Sequence, residues 1–226
     1  MVLAFYFPAG VQAADSAQEC GQSEQEGVPA NKLVSLEPER SFFLVTQGKG
    51  EGRRIEMTIR PLEDSKKRHI LTFKDLYRLN ITQESDGSVH GQCLELIEKN
   101  KRITFKPDLE LIPPVLAVDQ QIRATGKAAI YDMESGEQTN TGDYCYVIKE
   151  LSRTTFDTPG GPIKGYLLEY AFEIDLPYSN ILLDLENGWS ENRQLVYWRT
   201  KTTVEKLGLF GKTTFRSLSL AKDQPE

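Results

Sequence analysis

The chain has 226 residues and carries 27 Lys and Arg against 33 Asp and Glu, a formal charge of −6 with an isoelectric point near 5.2. Hydrophobic residues at 39% and charged residues at 27% are too apolar and too mixed in sign for a disordered chain, and no run approaches the roughly 18 apolar residues that would span a bilayer as a helix. With 2 histidines and 3 cysteines, the composition argues against metal sites, histidine-based catalysis and a dense disulfide framework, and leaves a globular chain with room for a sizeable core.

The charge is unevenly spread. Residues 1–39 and 107–226 are net acidic, whereas residues 40–106 hold an excess of bases. A basic section between acidic ones suits either an anionic partner, such as a phospholipid surface, a polysaccharide or nucleic acid, or solvated turns that keep strand edges soluble. Lys66, Lys67 and Arg68, and the group Lys99, Lys101 and Arg102, are read as solvated turns, and no nucleic-acid partner is expected.

At the start of the chain, the apolar run from Val2 to Phe7 is followed by Pro8-Ala9-Gly10 and then by Val11 and Ala13, which suit the −3 and −1 positions of a signal-peptidase cut. Residues 1–13 are therefore expected to be the remnant of a signal peptide, and the chain to be exported to the periplasm or envelope. No Lys or Arg precedes Lys32, so this reading requires a start upstream of Met1; the alternative is a buried N-terminal strand. Cys20 follows Glu19, which argues against acylation. Residues 14–32, poor in apolar side chains, are expected to form a flexible polar leader.

From residue 33 onward the pattern is short and alternating. Ile55, Met57 and Ile59 share one side of a run whose other side holds Glu56 and Thr58, and Tyr77, Leu79 and Ile81 repeat the arrangement, the two-residue period of a half-buried strand. Leu94–Ile97 and Ile103–Phe105 flank a hairpin turn centred on Asn100. Further strands are expected over Gln121–Tyr131, Tyr144–Leu151, Ile163–Ile174, Gln194–Val204 and Thr213–Leu220. Turn chemistry separates them at Glu134–Glu137, Asn140–Asp143, Thr158–Gly161 and Asn187-Gly188. Ser179–Asn187 fits a two-turn helix, and Ile181, Leu183 and Leu185 fit a strand equally well. These features predict an all-β fold, an antiparallel β-sandwich or barrel with at most one or two short helices. It forms a single β domain over residues 33–226, with a Pro-rich break at 107–118 where Pro113-Pro114 removes two ladder donors.

The search for chemistry yields no catalytic constellation, cofactor motif or metal-ligand spacing. His69 and His90 are expected near strand ends in solvent, away from ligand spacing with a cysteine or each other. Gly48-Lys49-Gly50-Glu51-Gly52 could cradle phosphate only if it entered a helix, and the strand-like Ile55–Ile59 makes it a hairpin turn. Glu169, Glu173 and Asp175 share a strand with Tyr170, Phe172 and Ile174, so the acids are expected on the outer face. Cys93 and Cys145 fall in strand-like runs and are read either as a disulfide of an exported protein or as two packed thiols. Tyr197 and Trp198 are adjacent and must face opposite ways, so one is a candidate for lining a cavity or for exposure. Phe210, in the Gly-bounded turn Gly208–Gly211, is a candidate exposed apolar tip.

Three stretches carry a family resemblance: Leu109–Val118, with its Pro113-Pro114 turn; Thr158-Pro159-Gly160-Gly161 entering the strand Ile163–Ile174; and the glycine-bearing turn Lys206–Lys212. Together, over about the C-terminal half, they resemble the TapB-like exported bacterial β domains, a family largely without assigned activity. The chain departs from that pattern at Asp119, where the family carries glycine, and at Ile122, where it carries tryptophan. The resemblance implies an envelope β domain and supplies no functional residue. The expected function is a non-enzymatic binding or assembly module of the bacterial envelope, with an unknown envelope protein or an apolar ligand as partner. The alternatives are a β-barrel carrier of an apolar small molecule and a polysaccharide-acting enzyme. Membrane association is compatible with this reading, without a transmembrane helix.

Overall fold

The computed structural model describes residues 27–62, 65–117, 121–206 and 210–221, the side chains of Lys66 and Phe210 excepted. The signal-like segment 1–13 and residues 14–26 of the leader lie outside the described residues. The strands are β1 (Val28–Pro29), β2 (Glu39–Gly48), β3 (Arg54–Leu62), β4 (Ser65–Phe73), β5 (Tyr77–Gln83), β6 (Val89–Leu96), β7 (Lys101–Ile112) and β8 (Val115–Leu116), followed by β9 (Ile122–Asp132), β10 (Gln138–Thr158), β11 (Gly161–Leu176), β12 (Ser179–Ser190), β13 (Leu195–Lys206) and β14 (Phe210–Leu220). One helical turn, α1 (Ala30–Leu33), and one 3₁₀ turn (Ile97–Lys99) complete the described elements.

Every strand from β2 to β14 except β8 pairs antiparallel with its neighbour along the chain, and β14 pairs with β2 to close the ring. The fold is thus all-β, as the alternation predicts, and of its two expected forms it is the barrel. The halves on either side of Pro113-Pro114 belong to one sheet, joined by β7 with β9 and by β14 with β2.

The alternation assigns the faces. Inward go Ile55, Met57 and Ile59 from β3, Leu71 and Phe73 from β4, and Tyr170, Phe172 and Ile174 from β11, all at most 6% exposed. Outward go charges that pair across strands: Arg40 with Glu56, Arg78 and Arg102 with Glu95, Lys149 with Asp184, and Arg199 with Glu186. This is the reverse of a bilayer-spanning barrel, in which the outer face is apolar and the lumen polar. Among the described residues no helix is long and apolar enough to cross a membrane.

One end of the barrel is closed. β1 pairs with β8, the Ala30 amide donates to the Pro114 carbonyl at 2.9 Å, and Arg193 reaches the Asn31 carbonyl at 3.2 Å. This clip buries Ala30, Leu33, Val34, Leu36 and Leu116. The folded domain therefore reaches back to residues 27–32, within the segment expected to be a flexible leader. Their few apolar side chains, Val28 and Ala30, are those that dock. The Pro-rich break is the other half of the clip: the two prolines end β7 and free the chain to cross the barrel's end.

Of the two readings open for Ser179–Asn187, helix and strand, it is strand β12, because its two-residue period meets a partner on each side, β11 and β13. Two local expectations change. Asn140–Asp143 and Asn187-Gly188 lie within strands β10 and β12 rather than in turns. Gly142 is needed there because a Cβ would sit 2.0 Å from the Asp175 carbonyl oxygen, and Gly188 because one would sit 2.4 Å from the Phe156 ring, the close approach that a strand glycine marks. His69 is buried within β4, on the inward side with Leu71 and Phe73, and not in solvent.

Candidate functional site

A barrel of eight strands can be filled by its own side chains, but twelve enclose more space than they can fill. Here the surplus is a cavity of about 460 Å³, running inside the barrel from Val34 and Leu36 of the clip toward the opposite end. Its wall is chiefly apolar, with Leu71, Leu79, Leu94, Leu109, Leu183 and Leu185 among the lining residues. The volume falls in the range of small-molecule sites, roughly 300–1,000 Å³.

Aromatic rings frame it from two sides. Phe43, Phe73, Tyr77 and Trp198 form one cluster, with the Tyr77 and Trp198 rings stacked at 5.2 Å. Phe105, Tyr144, Tyr146, Tyr170 and Phe172 form the other. Tyr146 donates to the Leu111 carbonyl at 3.2 Å, and its ring stacks on that of Tyr170 with centroids 5.6 Å apart. Burial pushes the Tyr77, Tyr146 and Tyr170 phenols above their ordinary range, so they stay protonated. Four polar atoms on cavity-lining residues have no protein partner among the described residues: Tyr77 Oη, Trp189 Nε1, Trp198 Nε1 and Asn187 Oδ1. An unpartnered buried polar atom costs about 1–3 kcal/mol. Three of the four are donors in an otherwise greasy wall.

The end opposite the clip carries charge. Lys49 stands in the β2–β3 turn, Lys99 ends the 3₁₀ turn, and Lys212 and Arg216 occupy inward positions of β14, in step with buried Leu218. Against these four cations the cavity lining holds, among the described residues, one carboxylate, Glu98. Glu98 accepts Arg216 at 3.2 Å and Lys49 at 3.4 Å. Burial opposes ionisation of Glu98, but the two cations outweigh it and hold its carboxyl below the usual range. Burial and then repulsion from Lys212 and Lys49, against the pull of Glu98, lower the Lys99 pKa.

The structure sorts the sequence candidates. Trp198 faces inward and lines the cavity. Tyr197 faces outward but is neither free nor ligand-facing, because the β10–β11 hairpin overhangs the barrel and lays Phe156 on it, with ring centroids 5.7 Å apart. The side chain of Phe210 lies outside the described residues. Cys93 and Cys145 are free thiols and do not form the bridge. They sit on β6 and β10, with β7 and β9 between, so at about 4.8 Å per strand they lie far beyond disulfide reach. Glu173 and Asp175 are exposed. Gly48–Gly52 is a hairpin turn, with Gly48, Gly50 and Gly52 at positive φ, and its Lys49 joins the mouth. The Lys99, Lys101 and Arg102 group is divided: Lys101 pairs with Asp132 and Arg102 with Glu95, leaving Lys99 at the mouth. Lys212 and Arg216 were missed, though their two-residue spacing with Leu218 was the signal for an inward face.

Fold and site together define a closed meander barrel, charged outside and apolar within, with an internal cavity open at a cationic end. No protein-family model matches the chain and no curated protein matches it in sequence. Among solved structures it is similar to the hypothetical lipoprotein YmcC of Escherichia coli K12, at 12% identity and a TM-score of 0.46, over 88% of this chain and 91% of that one.

Proposed function

We propose that this protein is a non-enzymatic binding protein of the bacterial envelope that takes an apolar small molecule into its barrel. The observation that carries the reading is the 460 Å³ apolar cavity enclosed by a barrel whose outer face is charged. The signal-like pattern of residues 1–13 and the TapB-like stretches support the envelope as its compartment. The polysaccharide-enzyme reading needs two facing carboxylates, and among the described residues the cavity lining offers Glu98 alone.

Native mass spectrometry of the full chain purified from its source is expected to show an adduct of a few hundred daltons that organic solvent removes. The emptied protein is expected to bind the polarity-sensitive dye ANS in its folded state. A chain that carries no adduct and binds no dye ends the proposal. Export is read separately, by N-terminal sequencing of the mature protein: a chain beginning after Ala13 supports it, and retention of residues 1–13 removes it.

A further inference from the structure

We infer that the ligand is a single-chain amphiphile with an anionic head, its alkyl chain in the cavity and its head held at the mouth by Lys49, Lys99, Lys212 and Arg216. This rests on the binding reading above and specifies its ligand class.

Three observations converge. The first is charge. Among the described residues four cations and one carboxylate share the lip of a cavity whose remaining wall is chiefly apolar, and Glu98 forms ion pairs with Arg216 and Lys49. Among the described residues Lys99 and Lys212 have no carboxylate partner of that kind, and they lie close enough to repel each other. Like charges gathered at a low-dielectric opening raise each other's cost until a counter-anion arrives, and such a rim concentrates anions. A wholly apolar ligand would leave that repulsion in place.

The second is size. At about 460 Å³ the cavity falls within the roughly 300–1,000 Å³ of small-molecule sites, which suits a ligand with a single alkyl or acyl chain.

The third is the unpartnered polar atoms. The Tyr77 hydroxyl lies within electrostatic reach of Arg216, and Trp198 stacks on the Tyr77 ring, so two orphan donors stand just inside the mouth. That is the depth at which an ester, amide or phosphate oxygen joins head to chain. An acceptor there would relieve two buried donors that the protein leaves unmet. Glu98 then acts as an internal stand-in, holding Arg216 until the ligand's anion competes for it.

The test uses the full chain, with the fluorescence of Trp189 and Trp198, its only two tryptophans, as the reporter. Dodecyl phosphate, dodecyl maltoside and dodecyltrimethylammonium are titrated below their micelle concentrations, and inorganic phosphate alone is a fourth arm. Dodecyl phosphate is expected to bind about tenfold tighter than dodecyltrimethylammonium, the combined effect of several partly exposed ion pairs, and the preference is expected to fall with salt. In the combined variant Lys49→Gln, Lys99→Gln, Lys212→Gln the preference should vanish while dodecyl maltoside binding is kept.

Equal affinity for the anionic and cationic chains overturns the head-group inference and leaves the apolar-cavity reading standing. Failure of all three chains to bind removes both. Inorganic phosphate binding as tightly as dodecyl phosphate makes the mouth a free-anion site and overturns the amphiphile. A preference that survives the combined variant overturns the placement of the head.

Discussion

The rings of Tyr77 and Trp198 stack 5.2 Å apart although their strands, β5 and β13, are separated by four others around the wall. The contact therefore crosses the lumen and draws nearly opposite walls together. It also places the Tyr77 hydroxyl and the Trp198 indole nitrogen in buried positions without a partner among the described residues.

That geometry predicts opposite outcomes for two substitutions. Tyr77→Phe removes an unmet hydroxyl and keeps the ring, so the thermal midpoint should hold or rise by up to about 2–4 °C. Its affinity for dodecyl phosphate should fall. Trp198→Ala removes the ring that bridges the lumen and should cost about 3 kcal/mol in denaturant unfolding.

The clip at the closed end depends on Leu33, which is 1% exposed and held against the barrel by a single helical turn. Leu33→Ala is expected to cost about 2–5 kcal/mol. Because neighbouring Val34 and Leu36 line the cavity, the variant should also bind ANS more strongly than the parent chain. Unchanged dye binding would show that the clip does not seal that end.

Gly188 makes room on the outer wall for Phe156. Gly188→Val should cost about 1–3 kcal/mol by overpacking. Combining it with Phe156→Ala should cost less than the two single changes added together, a coupling that a double-mutant cycle measures.

Lys99 sets a pH dependence. It faces Glu98 on its own turn, Lys49 from the β2–β3 turn and Lys212 from β14, and its pKa is lowered from 10.5, first by burial and then by the two lysines. The folded state therefore disfavours its charge, a penalty present at neutral pH that is relieved as pH rises through the lowered pKa toward 10.5. Affinity for dodecyl phosphate should move the other way and weaken over that alkaline window, and Lys99→Arg should shift the weakening to higher pH. On the acid side, the stability that Glu98 draws from Arg216 and Lys49 is present above the ordinary 4.5 and is lost as pH falls through its lowered folded pKa.

The strands were legible where both faces left a mark. Ile55, Met57 and Ile59, or Tyr170, Phe172 and Ile174, alternate with polar partners and need no tertiary information. Closure was not legible, because it rests on β14 pairing with β2, a contact between the two ends of the chain that no local pattern encodes. For the same reason a sandwich and a barrel read alike. The mouth was hidden for a different reason: Lys99 stands beside Lys101 and Arg102 in sequence, and only the fold pairs Lys101 with Asp132 and Arg102 with Glu95 and leaves Lys99 in the cavity lining. His69 carries its own signal, a two-residue spacing with Leu71 and Phe73, but Lys66, Lys67 and Arg68 before it mask that signal as a solvated turn.

Gly27 and Leu220 both stand at the end that the clip closes, while the lysines stand at the other. A tether joined at Gly27 would therefore meet the barrel at its closed end. If that attachment is to a membrane, the opening looks outward from the surface, toward whatever lies across the gap, and cargo would enter and leave without the barrel having to turn over.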